Sequence, residues 1–462
     1  MNSTINFTNV LDRTIGGKTN VSNGRNVNND INFVGGAGFS TLLGDVSVAN
    51  GAGSTSNSID VDGATMGTNT TNNRTTTTFT NGTGPTNAIN LGVTNTNTSN
   101  GQVFASNNSA AASVGSGNTI TIPQGVFNRN VTLSNGLNSP AAVVNLITLA
   151  TLGSGVDVTG NLVASTANTT GSNTVNIGGA AVGATNGLRV VQVTPANGSG
   201  SGNVNISNGT TSTGAASVSI LGGAGAAARN GSTNEIDGDL SVINKGSTGG
   251  GTKNINLSGL ATFGRTGATL NNNAAGNSVT NIGGNAGAVT TAVFFNGTGG
   301  LFVQDGSGSS LFNLQLATIG TLGTARQIGL RYQDLGGGND TINVSTLGTS
   351  SVTVNGPTNL QTLGGDDVIT ITRSVASGGG GSAAFNDSVF TSLGDGNDIL
   401  NIGAFAASPA LGSASKFQFD GGKGVNTINA SPLSVSKYTV GKVPAKLKSK
   451  ITGFTGINGA PL

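Results

Sequence analysis

A short strand motif, in which Asn, Asp or Thr alternates with Ile, Val or Leu, returns about every 29 residues and leaves this chain few ways to fold. Its copies include Asn29-Asp30-Ile31-Asn32-Phe33, Asn57-Ser58-Ile59-Asp60-Val61, Asn87-Ala88-Ile89-Asn90-Leu91 and Asn118-Thr119-Ile120-Thr121-Ile122. Later copies are Asn173-Thr174-Val175-Asn176-Ile177, Asn203-Val204-Asn205-Ile206, Asp340-Thr341-Ile342-Asn343-Val344, Asp367-Val368-Ile369-Thr370-Ile371 and Asp398-Ile399-Leu400-Asn401-Ile402. From Ile31 the steps to Ile59, Ile89 and Ile120 are 28, 30 and 31, Ile120 to Val175 is 55 or two steps, and Val175 to Val204 is 29. Ile342, Ile369, Leu400 and Ile428 follow at 27, 31 and 28. Between Ile236 and Val279 the steps fall to 19 and 24, which predicts a bulge or shortened coil there. A fixed period of this length marks stacked repeats, each unable to bury its own apolar face alone.

Each period holds at least one further alternating run, such as Gly44-Asp45-Val46-Ser47-Val48, Gly155-Val156-Asp157-Val158, Ser217-Val218-Ser219-Ile220-Leu221 and Ser351-Val352-Thr353-Val354-Asn355. Two or three short strands in 29 residues are what one winding of a parallel β-helix needs. Alternation sends Ile, Val and Leu inward and Asn, Thr or Asp outward. Asn-Gly pairs at 50–51, 81–82, 135–136 and 355–356 are expected to give positive-φ corners. Aligned Asn residues in successive windings are expected to form hydrogen-bonded ladders. The expected fold is all-β: a single-stranded parallel β-helix, or β-solenoid, of roughly 16 coils of about 29 residues each. Residues 1–30 are expected to form a cap or first coil, 31–430 a continuous solenoid with acidic coils over 335–430, and 431–462 a basic C-terminal cap.

Composition agrees. Of 462 residues 78 are Gly and only 8% are charged, too turn-rich and too charge-poor for an ordinary globular enzyme. With 35% hydrophobic residues and a net charge of +2, repulsion does not hold the chain open. Helix is disfavoured by the abundance of Gly, Asn, Thr and Ser. The chain has no Cys, His or Trp, a pattern expected of secreted repeat proteins, so an extracellular or cell-surface location is expected. Met1 to Val10 show neither a basic nor an apolar signal region, and no apolar run approaches the roughly 20 residues of a membrane-spanning helix.

Charge is unevenly placed. Between Asp334 and Lys423 eight acids face three bases, and there the turns sharpen into Gly336-Gly337-Gly338-Asn339-Asp340, Gly364-Gly365-Asp366-Asp367 and Gly394-Asp395-Gly396-Asn397-Asp398. These segments resemble the GGxGxDxUx repeats of the RTX (repeats-in-toxin) calcium-binding family. Gly336, Gly338, Asp340 and Ile342 match its second, fourth, sixth and eighth positions, as do Gly394, Gly396, Asp398 and Leu400. The resemblance implies a secreted, calcium-stabilised protein with Asp340, Asp366, Asp367, Asp395 and Asp398 as ligands, since Ca²⁺ takes six to eight oxygens. It departs from the family in spacing, because RTX motifs recur every nine residues and these recur every 27 to 31.

At the other end of the charge scale, Lys437, Lys442, Lys446, Lys448 and Lys450 follow one another with no acid after Asp420. They are expected either to be solvated on a cap or to attach the protein to an anionic cell-surface polymer or a neighbouring subunit. Without His or Cys there is no imidazole base, Ser-His-Asp triad or thiol nucleophile, so catalysis is not expected. Asp366-Asp367 is an adjacent acid pair, but neighbours on a strand point to opposite faces. Most Phe, including Phe294, Phe302 and Phe417, are expected to fill the core. Nucleic acid is not an expected partner, because no basic stripe interleaved with aromatics is present. The expected role is structural, as the protomer of a surface layer or filament that self-associates through solenoid ends or sides. The alternatives are a surface adhesin or calcium-dependent protein, an ice-binding solenoid suggested by Thr75 to Thr78, and a polysaccharide-acting β-helix enzyme.

Overall fold

Among the described residues three strands make up each complete winding, within the two or three expected. The computed structural model describes residues 2–8, 14–34, 40–52, 55–67, 75–108, 117–136, 143–151, 155–167, 171–178, 187–191, 202–209, 214–222, 234–244, 251–272, 275–284, 291–321, 328–347, 349–371, 382–402, 417–430, 451–457 and 460–461. Every regular element among them is a β-strand, and no helix is long and apolar enough to cross a membrane. The chain divides into two compact units, Met1–Gly251 and Thr252–Leu462.

In the first unit one winding runs Thr86–Leu91, Asn97–Ser99, Gln102–Asn107, and the next runs Gly117–Ile122, Gly125–Phe127, Val131–Asn135. Corresponding strands pair in parallel, with Asn97 opposite Gly125 and Val103 opposite Val131. Every strand thus lies on one of three faces. Register stacks like on like: Ile31, Ile59, Ile89, Ile120, Ile147 and Val175 form one inner column on the first face, all fully buried. Each such side chain contributes about 1.5–3 kcal/mol by leaving water, which is why the column fixes the register.

Among the described residues the first unit contains eight complete three-strand windings and the second five. In the second unit the windings run from Lys253–Leu257, Leu260–Thr262, Ala268–Asn272 to Val368–Ile371, Ser382–Phe385, Val389–Ser392. First-face strands continue at Ile399–Ile402 and Thr427–Ala430. Phe312 and Tyr332 stack inside at 5.1 Å.

Four expectations need correction. The motif copies do not all share a face. Val204 and Ile236 lie on the third and second faces, whereas Val175 pairs with Val218 in the supposed second run Ser217–Leu221, a step of 43. The step of 19 from Ile236 to Ile255 came from comparing a second-face strand with a first-face one, whereas the winding from Lys253 to Ser278 is short, at 25 residues, as expected. The glycines of Asn-Gly corners also differ from expectation: only Gly136 of the four has positive φ, at 84°. Gly82 is needed because a Cβ there would lie 2.4 Å from the Gly51 carbonyl oxygen of the preceding winding. Third, Phe294 and Phe302 face outward, Phe302 beneath the Arg331 guanidinium at 5.0 Å, while Phe79, Phe127, Phe295, Phe312 and Phe385 fill the core. The Phe417 side chain lies outside the described residues.

The fourth correction concerns Asn. The Asn that opens a first-face strand points inward, not outward. Asn29, Asn57, Asn87, Asn118, Asn145 and Asn173 form a buried column, with amide Nδ2 donating to the next Oδ1 at 2.8, 2.9 and 2.9 Å from Asn87 through Asn173. A second column, Asn50, Asn81, Asn107 and Asn135, closes the third face and is linked in the same way at 2.9, 2.8 and 2.9 Å. Its amides also donate across the corner to first-face carbonyls: Asn81 to Ala88, Asn107 to Thr119 and Asn135 to Leu146. Buried amides are tolerated because each has both a donor and an acceptor, and stacking uses both. Outward Asn residues form ladders as well, such as Asn281 to Asn256 at 2.8 Å and Asn429 to Asn401 at 2.9 Å.

Candidate functional site: a buried carboxylate corner

In the second unit the corner between the third and first faces is built from acids. Register continues the first-face opening column through Ser278, Ser310, Asp340, Asp367, Asp398 and Asn426. The third-face closing column contains Asn272, Asp305, Asp334 and Thr362. Asp305, Asp334, Asp340, Asp367 and Asp398 are all 0–1% exposed.

One carboxylate oxygen of each opening-column Asp has a defined task. The Ser310 N–H donates to Asp340 Oδ1 at 2.7 Å, Asp340 N–H to Asp367 Oδ1 at 2.8 Å, and Asp367 N–H to Asp398 Oδ1 at 2.9 Å. Asn426 ends the series, its Oδ1 accepting from Asp398 N–H at 2.7 Å. Its Nδ2 then donates to the carbonyls of Gly421 at 2.6 Å and Gly453 at 2.8 Å. The second oxygens of Asp340, Asp367 and Asp398 are buried without a hydrogen-bond partner, as is Asp334 Oδ1. Unpartnered buried acceptors of this kind are costly and rare.

Burial pushes these carboxyls upward. Asp340 is raised to about 8, first by burial and then by the neighbouring Asp334 charge, with the Ser310 N–H opposing. Asp367 rises to about 7 and Asp398 to about 6, burial leading in both. Asp305 rises to about 7 through burial, offset by the Tyr332 and Ser278 hydroxyls. Asp334 is raised by burial and faces Asp340. The Tyr332 phenol, buried beside Asp305, is held well above its ordinary value. A carboxyl in such surroundings takes up a proton rather than remain charged.

The residues expected to bind calcium do not converge. Asp366 and Asp395 are exposed, on the opposite side of the strand start from Asp340, Asp367 and Asp398. Asp366 belongs to an outer ladder, its N–H donating to Asn339 Oδ1 at 2.9 Å and its Oδ1 accepting from Asn397 N–H at 2.8 Å. Asp395 pairs with exposed Lys423 at 3.1 Å. Each winding offers one inward carboxylate with one oxygen already engaged, far short of the six to eight oxygens of a Ca²⁺ shell. Among the described residues no group of three or more acids is placed to hold a metal. The donor set therefore does not fit an RTX-type ion; the Gly-Asp turns act as caps for backbone N–H groups of adjacent windings. Lys437, Lys442, Lys446, Lys448 and Lys450 lie outside the described residues.

Sequence reasoning missed Asp305, Asp334 and Tyr332. The available signal was the Asn that ends most third-face strands in the first half, as at Asn50, Asn81, Asn107, Asn135 and Asn208, whose place Asp305 and Asp334 take.

The class that these features define is a three-faced parallel β-solenoid with ladders of polar side chains inside its corners. Compared with known protein families, curated proteins and solved structures, the chain matches none.

Proposed function

We propose that the protein is a structural protomer of an extracellular, cell-surface layer or filament, held to copies of itself through the outer faces of its windings. The observation that supports this most is an exterior of uncharged, regularly spaced amides and hydroxyls, with only 8% of the chain charged. Outward amide pairs such as Asn401 with Asn429 and Asn355 with Asn386 repeat at strand spacing, about 4.8 Å. Each can exchange its hydrogen bonds with a like column on another copy, and little charge opposes that approach. The lysines between 437 and 450 give such a protomer a means of holding an anionic surface polymer. No Cys or His is available for nucleophilic or imidazole-based chemistry.

The test is light scattering coupled to size exclusion over a wide concentration range, with negative-stain electron microscopy of the concentrated sample. Ordered arrays or filaments are expected. A monomer at every concentration would overturn the proposal.

A further inference from the structure

Asn426 shows what the opening column needs from the residue at that position: one oxygen to accept the N–H of the preceding winding and one donor to reach a backbone carbonyl. The three Asp side chains meet the first need at 2.7–2.9 Å and, as carboxylates, cannot meet the second. A carboxylic acid can, because its O–H is a donor in the place of the amide N–H₂. Asp334 Oδ1 and Asp340 Oδ2, both unpartnered as anions, likewise become donor and acceptor once a single proton lies between these facing carboxyls.

We propose that the buried corner formed by Asp305, Asp334, Asp340, Asp367 and Asp398 is a proton-filled spine, which locks the second unit's windings when its carboxyls are protonated and loosens them when they ionise. It does not depend on the assembly reading above.

Among the described residues no base acts on the carboxyls of the corner. Lys253 stands in the same opening column, separated from Asp340 by Ser278 and Ser310, three strand steps or about 14 Å away. On the third face the titratable groups are Tyr332, buried beside Asp305, and Arg331, which points outward over Phe302. Asp420 at the end of Phe417–Asp420 accepts from Gly422 N–H and the Thr452 hydroxyl. The described turns contribute Arg265, Asp366, Asp387, Asp395 and Lys423, of which Lys423 pairs with Asp395 at the surface. Second-face strands Leu316–Ile319, Ser351–Val354 and Ser382–Phe385 contain no titratable residue.

The sign follows from the raised values. The folded state binds protons that the unfolded chain, with carboxyls near 3.8, has already lost, so stability is full below about pH 4 and falls through the window ending at about 8. Above it the corner holds charge at full cost.

The experiment is thermal and urea unfolding of the full chain from pH 4 to pH 9, with either millimolar CaCl₂ or chelator, for the natural chain and for the combined Asp340→Asn, Asp367→Asn, Asp398→Asn variant. The natural chain is expected to lose stability steadily as pH rises, unaffected by calcium. The variant should have a flatter profile and match or exceed the natural chain at pH 9. Infrared spectra of the unmutated protein give a readout that does not need the variant to fold: a protonated-carboxyl band present at pH 6 and bleached by pH 9. Stability that rises with pH, stabilisation by calcium, or absence of that band would each overturn the proposal.

Discussion

Replacing Asn118 by Ala tests whether the inner amide columns hold the windings together. Asn118 is fully buried; its Oδ1 accepts from Asn87 Nδ2 at 2.8 Å and its Nδ2 donates to Asn145 Oδ1 at 2.9 Å. Truncation removes both bonds, worth about 1 kcal/mol each in net terms. The two former partners are affected differently. Asn87 Nδ2 keeps the carbonyls of Gly84 and Asn108 at 3.0 and 3.2 Å, whereas Asn145 Oδ1 loses its column donor and stays buried. An acceptor stranded in this way costs about 1–3 kcal/mol more. The expected loss is about 3–5 kcal/mol, read as a lowered urea midpoint by far-ultraviolet circular dichroism. Asn90→Ala is the control: Asn90 faces outward, donates to Asp60 Oδ1 at 2.6 Å, and water can replace that bond, so less than about 1 kcal/mol is expected. Equal midpoints for the two variants would refute the reasoning.

Two further contrasts test packing and turns. Phe312→Ala, which empties a fully buried ring site stacked on Tyr332, is expected to cost about 3–5 kcal/mol, while Phe302→Ala removes only an outer cation–π contact and should cost less than about 1 kcal/mol by the same urea assay. Gly365→Ala should destabilise by more than about 1 kcal/mol, since φ is +108° there and the new methyl would lie 2.3 Å from Gly338 O. Gly337→Ala, whose methyl would meet only Gly364 O at 3.9 Å, should leave the midpoint nearly unchanged.

Fold class was legible because an inner column tolerates no change of character: Ile31, Ile59, Ile89 and Ile120 recur at nearly even steps, and a one-residue slip would expose them all. Which strand belonged to which face was less legible. Val204 on the third face and Val218 on the first have the same local pattern, and only the pairing of Val175 with Val218 distinguishes them. Alternation also misplaced Asn. A period of two assigns residues to two sides but does not say that an amide at a strand's first position can be satisfied indoors, by its copies above and below. The Gly-Asp turns were recognised as special, but not for the backbone caps that their inward Asp residues form. Their Asp residues were taken as converging on an ion, yet the 27 to 31 residue step places one carboxyl per winding, each against a backbone N–H.

The same corner therefore contains two chemistries. In the first unit amides fill it, with donor and acceptor fixed by covalent structure, so the Asn columns are equally satisfied at any ordinary pH. In the second unit acids fill equivalent positions, and whether a donor is present depends on a proton that solvent can remove. Burial alone would select against such residues, since Asn at 340, 367 and 398 would meet the same contacts without a titrating group, as Asn426 does at 2.6–2.8 Å. Acids at five buried positions thus give up stability at neutral and higher pH for a dependence on pH that an all-Asn corner would lack. The corner that carries this dependence lies in the second unit, where five acids share it, while in the first the inner columns stay amide from Asn29 to Asn173 and from Asn50 to Asn135.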